Sequence, residues 1–552
     1  MAMSWRSRKY EVLPALSVRR GELRRSLRTV TIAWMFGVVW MSLVSGAQFV
    51  ALGRLLGFSE FHFGLLGALP YMATGGQLLA TRLIERTGLQ KHLFLVCATV
   101  SRLLWLVVAA IPLVVRVPSA WAVAMMIVVL AGVYFLDAMA VPAWFTWMGY
   151  LIPRRIRGRY FAFRNRLSQC VQIVVVILAG VVLDRSIRPG AGFTPTEQPL
   201  LLWTVCMVFA VAALFGALDI LLFRRIREVL PSVYGPAGPP VVSRRRMMDA
   251  WGDRVFRHYA IYGAVFTFTI SVSTWYFWRN CTQNLGFSNL ATNVLFLVVT
   301  PVVGILSSPL WGRIIDRWGR RPVLILAGVG TAVGVVPWLL ASPKLANPAF
   351  IVDGANWLAR HVGALFGRSD WSWLSYEDPV SSYLIALCGV AVAGFSWTGL
   401  ALAQTGVVLG FADGRGRSRY VAASSFLISI GGILGGLVGG TVTQAFSHLQ
   451  SRPIILGPFV WNNWHLTFML AIAGRLLALI SLKGMPDPGS ASVRNLLRFA
   501  GANIYNNFRT RAFSPLRAFG WRRWNRASRP DGRGGRPSED ADNDEETAGD
   551  PD

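Results

Sequence analysis

The chain has 552 residues, of which 54% are hydrophobic and only 15% charged, with a mean hydropathy of +0.46. An ordinary soluble domain carries roughly a quarter charged residues, so this composition excludes that class and points to a polytopic membrane protein. The formal net charge of +28 would suit a nucleic-acid binder, but the arginines fall in short clusters between long apolar runs rather than along one face, which excludes that reading too.

Residues 1–28 form a basic segment ahead of the first apolar run, and no small-residue cleavage site follows that run, so the first helix is expected to stay as a span. A helix needs about 20 mostly apolar residues to cross the hydrocarbon core. Such runs lie at 29–53, 62–81, 92–115, 119–151, 160–183 and 199–223 (spans 1 to 6). The polar stretch 224–257 reads as a linker, and 258–279, 289–312, 322–341, 381–410, 420–446 and 464–482 follow as spans 7 to 12. Open strands would leave backbone groups unsatisfied in lipid, so the segments must be helices. The sequence therefore reads as an all-α membrane protein of twelve transmembrane helices, with six-helix bundles at 29–223 and 258–482. Spans 4 and 10 are the longest and imply tilt or extension past the bilayer. In 483–530, arginines such as Arg494, Arg498 and Arg523 alternate with Phe499, Trp521 and Trp524, which suits a tail lying on anionic lipid. Residues 531–552 are polar, acidic and free of aromatics, so disorder is expected.

Arginine placement orients the chain. With a cytoplasmic N-terminus, the inside segments 1–28, 82–91, 152–159, 224–257, 313–321 and 411–419 hold about thirty basic residues. The outside segments hold only Arg54, Arg116, Arg185, Arg188, Arg279, Lys344, Arg360, Arg368 and Arg452. Both termini are thus expected in the cytoplasm. Lysine occurs only at Lys9, Lys91, Lys344 and Lys483, the bias of a GC-rich bacterial genome, so the expected location is a bacterial inner membrane.

The cysteines (Cys97, Cys170, Cys206, Cys281, Cys388) are far apart and lack metal spacing. The histidines (His62, His92, His258, His361, His448, His465) fall in loops or near helix ends without a partner at general-base or ligand spacing. There is no Walker-type loop for an ATP motor. Neither an enzyme, a metal site nor a cofactor is expected.

Two pairs of inside loops match across the halves. Arg82-Leu83-Ile84-Glu85-Arg86-Thr87-Gly88 follows span 2, and Arg313-Ile314-Ile315-Asp316-Arg317-Trp318-Gly319 follows span 8. Arg157-Gly158-Arg159-Tyr160 opens span 5, and Arg417-Ser418-Arg419-Tyr420 opens span 11. Internal repeats of this kind mark secondary transporters. The stretch Gly312 to Arg321 resembles the signature loop of the major facilitator superfamily, Gly-x-x-x-Asp-Arg-x-Gly-Arg-Arg, in its second-half position. The first-half copy departs from it, with Thr81 for the glycine, Glu85 for the aspartate and Leu89-Gln90 for the final basic pair. The resemblance covers 29–482 and implies two pseudo-symmetric six-helix bundles, a monomer, and transport of a small solute by alternating access, proton-coupled or not. It further implies a cytoplasmic latch in which Asp316, with Gly312, Arg317, Gly319, Arg320 and Arg321, meets the start of span 5. A carboxylate there would face a helix N-terminus, which favours negative charge. Arg82, Glu85, Arg86 and Gly88 form the degenerate copy. Span 5 lacks the proline of the drug antiporters and span 6 lacks the sugar-porter ending. A non-transporting receptor or assembly protein on the same fold, or a lipid flippase, are the alternatives.

Ionisable groups at membrane depth are functional candidates because each is costly unless paired. Arg102 in span 3 and Asp137 in span 4 lie at similar depth and could pair. By the resemblance span 4 lines the cavity, so Asp137 either carries a proton or contacts solute, or forms a static pair with Arg102. Asn165, Gln169 and Gln172 share one face of span 5, and Arg166 and Gln169 are the cavity candidates there. Gln48, Gln77, Asn293 and Gln404 are lone amides; Gln48 and Gln404 join the pathway candidates. Trp144, Phe145, Trp147 and Tyr150, and again Trp275 to Trp278, read as interfacial belts. The glycine ladder from Gly431 to Gly440 reads as a close-packing face.

Overall fold

A computed structural model describes residues 20–226 (except 88, 153 and 191), 252–365, 372–410, 417–486, 490 and 498. The basic tail, the acidic end and most of the linker lie outside the described residues. Among those described, eleven helices are long and apolar enough to cross a bilayer. They are Glu22–Leu43 (span 1), Gln90–Val114 (3), Ala120–Phe145 (4), Phe163–Ser186 (5) and Pro199–Phe223 (6). The second half supplies Arg254–Asn284 (7), Asn289–Trp318 (8), Arg320–Leu340 (9), Val380–Val407 (10), Ala423–Ala445 (11) and Asn463–Gly484 (12). Span 2 is the twelfth, broken into Glu60–Met72 and Gly75–Thr87.

That break has a local cause. Pro70 has no N–H to give and its ring crowds the preceding turn, and the Thr74 hydroxyl turns back to the Tyr71 carbonyl at 2.7 Å. Span 1 is also shorter than its apolar run suggests. The chain turns at Gly46, whose φ of +87° suits glycine, and a separate helix, Ala47–Leu56, follows. The Gln48 amide donates to the Ser42 carbonyl at 2.7 Å, satisfying one group exposed by the helix end.

The two halves pack alike. Span 1 lies on 5 and 6, span 3 on 4 and 6, and span 2 on 4. In the second half, span 7 lies on 11 and 12, span 9 on 10 and 12, and span 8 on 10. Exposed apolar side chains ring the assembly, among them Val114 (82% exposed), Trp121 (78%) and Leu306 (77%), as a lipid-facing surface requires.

Span 2 meets spans 7 and 11, and span 5 meets span 8. The glycine ladder of span 11 makes this approach feasible from two sides. A Cβ on Gly64 of span 2 would sit 2.3 Å from the Gly440 Cα, and one on Gly432 would enter the Tyr71 ring. On the other face, Cβ atoms at Gly431, Gly435 and Gly439 would lie 2.1, 2.2 and 2.5 Å from the carbonyl oxygens of Ala264, Phe268 and Val272 on span 7. Relative to the end that carries Glu22 and Gly484, these joints are concentrated at the opposite, distal end. There Glu60 pairs with Arg279 at 2.8 Å, and both side chains are buried. Trp464 donates to the other Glu60 oxygen at 3.0 Å, and the Tyr276 hydroxyl donates to the Glu60 carbonyl at 3.1 Å. Asp184 at the end of span 5 accepts from the backbone N–H groups of Asn289 and Leu290, at 2.7 and 2.9 Å, where span 8 begins. The Thr74–Ser429 contact, 2.9 Å, is the hydrogen bond between described residues of the two halves that lies nearest the terminal end.

Arg279, expected in an outside segment, lies at the distal end as a buried ion-pair partner. The aromatic clusters are not simple belts, because each turns part of its rings into the core: Trp147 is fully buried against Phe94 and Phe223 while Phe145 stays 65% exposed, and Phe277 stacks on Phe468 at 4.4 Å. In both, helical spacing of three or four turns alternate rings inward. The 342–380 connection carries a helix, Ala349–Leu365, and a short hairpin, β1 (Ile454–Leu456) with β2 (Phe459–Trp461), precedes span 12.

Candidate functional site

Spans 3 and 4 place Arg102 and Asp137 in contact: the Arg102 Nη1 donates to Asp137 Oδ1 at 2.9 Å, and the Ser101 hydroxyl donates to the same oxygen at 2.7 Å. The guanidinium lies over the Trp40 ring of span 1, 3.4 Å from its centroid. Space for it comes from Gly216 of span 6, where a Cβ would meet Arg102 Cδ at 2.6 Å. A second aspartate, Asp219, completes the arrangement from span 6. It is 4% exposed, its Oδ1 makes no hydrogen bond within the described chain, and it feels both Arg102 and Arg164 electrostatically. Its carboxylate fits because span 1 has glycine at Gly37, whose Cβ would lie 2.6 Å from Asp219 Oδ2.

Arg164 of span 5 is the fourth charge. Its guanidinium sits among the rings of Trp34, Phe161 and Trp144, at 4.5, 4.7 and 5.3 Å, with two of its nitrogens free of hydrogen bonds. Cation–π contact of this kind contributes about 0.5–2 kcal/mol per pair when desolvated. The four charged side chains and the three tryptophans line one cavity of about 390 Å³ inside the first bundle. Its mouth carries Met41, Val141 and Phe145, all exposed. Two guanidiniums and two carboxylates balance formally, so the cavity can gain or lose a proton or admit a polar solute without stranding a large net charge.

The remaining candidates are placed differently. Arg166 is exposed, Gln169 is half-buried with its Oε1 unbonded, and Gln404 is half-buried on span 10 beside Tyr262. Gln48 is fully buried at the distal joint, where it accepts from the Asn293 amide at 3.2 Å; it clasps the halves there rather than lining the cavity. Asp316 is exposed, and no hydrogen bond or ion pair joins it to span 5 among the described residues; most side chains at the start of span 5, where the latch is expected, lie outside them. Gly319 makes the turn before span 9 with φ +89°, whereas a Cβ on Gly312 would meet nothing within 4 Å among the described residues. Arg317 lies against Trp318, Arg320 runs along Gly406 of span 10, and Arg321 donates to the Lys483 carbonyl. Arg82 is exposed; the side chains of Glu85 and Arg86, and Gly88, lie outside the described residues.

Sequence reasoning missed Asp219, Glu60 and Arg475. Asp219 and Arg475 each interrupt an otherwise apolar span, the same signal that marks Asp137. Arg475 of span 12 is 4% exposed, donates to the Thr331 carbonyl at 2.7 Å, and lines a smaller cavity of about 210 Å³ in the second bundle.

The family model described as Major Facilitator Superfamily matches residues 29–375. The chain belongs to that superfamily. It is therefore a multi-pass transporter that moves a solute by alternating access between its halves. A D-xylose–proton symporter shares the fold at a TM-score of 0.56 and 15% identity, over 85% of this chain and 100% of that one. The inward-open xylose transporter XylE from E. coli gives 0.53 and 14%, over 86% and 99%. A mutant of the nucleoside transporter NupG gives 0.51 and 13%, over 84% and 99%. No curated protein matches the sequence. The family match ends before spans 10 to 12, which these superfamily folds account for.

Proposed function

We propose that this superfamily transporter sits in a bacterial inner membrane with both termini cytoplasmic, and that the charged cavity of its first bundle is where proton movement is coupled to the solute. The basic segments cluster at the terminal end, which the positive-inside rule assigns to the cytoplasm. The joints at Glu60–Arg279 and Asp184–Asn289 then close the periplasmic side, and the pathway faces inward. The resident lipids are its other partners, and the unit is a monomer built from residues 29–223 and 258–482.

One observation carries the coupling: Arg102, Asp137, Arg164 and Asp219 share a cavity at membrane depth whose mouth residues are exposed. A proton entering it has two carboxylates to act on, and either change alters the hold of the guanidiniums on the other. In proteoliposomes with an imposed pH gradient, Asp137→Asn should abolish accumulation of the solute yet retain downhill exchange. If Asp137 only neutralises Arg102, the single change should instead unfold the protein, because stranding a buried partner costs about 3–5 kcal/mol. The double change Arg102→Leu with Asp137→Leu would then restore folding, and active accumulation in that double variant would overturn the coupling role.

A further inference from the structure

The second bundle differs from the first in its charge balance. Arg475 lies twelve residues into span 12, about 18 Å along the helix from Asn463 at the usual rise. No Asp or Glu occurs in spans 7 to 12 apart from Asp316 at the inner end of span 8. The guanidinium therefore has no carboxylate to meet it at that depth. Among the described residues it holds only the Thr331 carbonyl, through Nη1, while its Nε is enclosed and unbonded. A buried cation left with one neutral acceptor is expensive, and Arg offers a planar fork of five donors suited to a carboxylate or phosphate.

The surroundings have the form of a binding site. Trp278, Trp338 and Trp397, with Phe277 and Phe296, wall the cavity of about 210 Å³ that Arg475 lines. Those rings are already ordered by one another: Phe296 stacks on Trp338 at 5.5 Å and meets Trp278 at 4.5 Å. Thr274, also on the wall, is exposed and gives its hydroxyl to the Ile270 carbonyl, which leaves its oxygen free to accept. Ser273 and Thr300 add further hydroxyls to the lining. A rigid apolar box with one unneutralised guanidinium selects a small solute with an anionic head and a flat or compact apolar body.

We propose that Arg475 recognises the anionic group, of carboxylate or phosphate class, of the solute this transporter carries, with the body of the solute held between Trp278, Trp338 and Trp397. The inference rests on the chain being a solute transporter but not on the coupling role of the first bundle. The bound anion supplies the charge that spans 7 to 12 lack. The two bundles then divide the work: a balanced quartet that a proton can act on, and an unbalanced cation that awaits its counter-charge.

The test uses purified full-length protein in nanodiscs, with benzoate, phenyl phosphate, benzamide and benzylamine as probes. Thermal unfolding and quenching of tryptophan fluorescence are read for wild type, Arg475→Met and Arg475→Lys. Wild type should be stabilised and quenched in a saturable way by one or both anions, at least about tenfold more tightly than by benzamide, the loss expected when a charge-assisted bond is removed. Benzylamine should not bind. Arg475→Met should lose the preference for anions yet unfold at the same or a higher temperature without ligand, because an uncompensated cation has been removed. Arg475→Lys should keep weakened anion binding. The proposal is overturned if neither anion outbinds benzamide on wild type, or if Arg475→Met keeps the preference. It is also overturned if Arg475→Met is destabilised while wild type shows no anion preference, since the guanidinium is then a strut for span 9. Binding is read without transport, so failure here is separate from failure of proton coupling, which the Asp137 variants report.

Discussion

Asp219 and Arg102 occupy positions that two glycines keep open. A Cβ at Gly37 would lie 2.6 Å from a carboxylate oxygen, and one at Gly216 would lie 2.6 Å from the arginine stem. A β-branched side chain at Gly37 cannot be absorbed by a small shift, because it would push a buried carboxylate off its place between two cations. Gly37→Val should destabilise the protein by about 1–3 kcal/mol, the usual cost of overpacking. Thermal unfolding of Gly37→Val beside Gly37→Val with Asp219→Ala checks it: the second change should recover part of the loss if the clash is with Asp219. The Arg102–Asp137 pair was legible in the sequence because a single charge stands out in an apolar run. Asp219 carried the same signal and was missed only because its span ends four residues later in an arginine cluster, which makes an acidic residue there look like part of the loop. Glu60 and Arg279 were not legible, since charges at the ends of spans are the rule and only the fold brings these two together.

Spans are where hydropathy reads best and where it stops. Most of the helices follow the apolar runs closely, whereas span 1 ends at Leu43, well before its run does. The turn at Gly46 and the break after Met72 do not interrupt the hydropathy, so only backbone chemistry (Pro70, Thr74, a positive φ) marks them. The aromatic clusters misled for a related reason, because residue type suggested a belt while helical period decided which rings faced inward. The repeat, by contrast, extends further than the matched loops. Laying Arg157-Gly158-Arg159-Tyr160 on Arg417-Ser418-Arg419-Tyr420 places Gly180 on Gly440 and Asp184 on Gln444. Both glycines lie against the opposite half: a Cβ on Gly180 would meet Leu290, and one on Gly440 would meet Phe61 and Gly64. Both polar residues accept a backbone N–H there, Asp184 from Leu290 at 2.9 Å and Gln444 from Phe61 at 3.4 Å. The distal closure is thus a duplicated helix cap with one charged copy and one neutral copy. Asp184→Ala should shift the protein toward the distal-open state, whereas Gln444→Glu should favour closure. Pulsed electron resonance between labels at Arg188→Cys and Arg452→Cys, both exposed distal positions, would show a longer-distance population growing in the first variant and shrinking in the second. Unchanged distances in both would leave the caps without a part in gating.

Across the whole molecule, the proposed latch at Asp316 would engage only when the terminal end closes, and an exposed Asp316 beside a closed distal end is what that proposal requires. Asp316→Asn should leave insertion and thermal stability unchanged, and should enlarge the population seen here at the expense of the opposite one. Transport at the wild-type rate in that variant would reduce the loop to a topology marker. The most direct test of the proposed orientation is the side from which the charged cavity can be reached. Val141 stands at its mouth and is 44% exposed. A Val141→Cys protein with its five native cysteines replaced by serine should react with a membrane-impermeant maleimide in inside-out vesicles and be protected in right-side-out cells. Faster labelling from the periplasmic side in the absence of solute would contradict the orientation and the closed distal gate together.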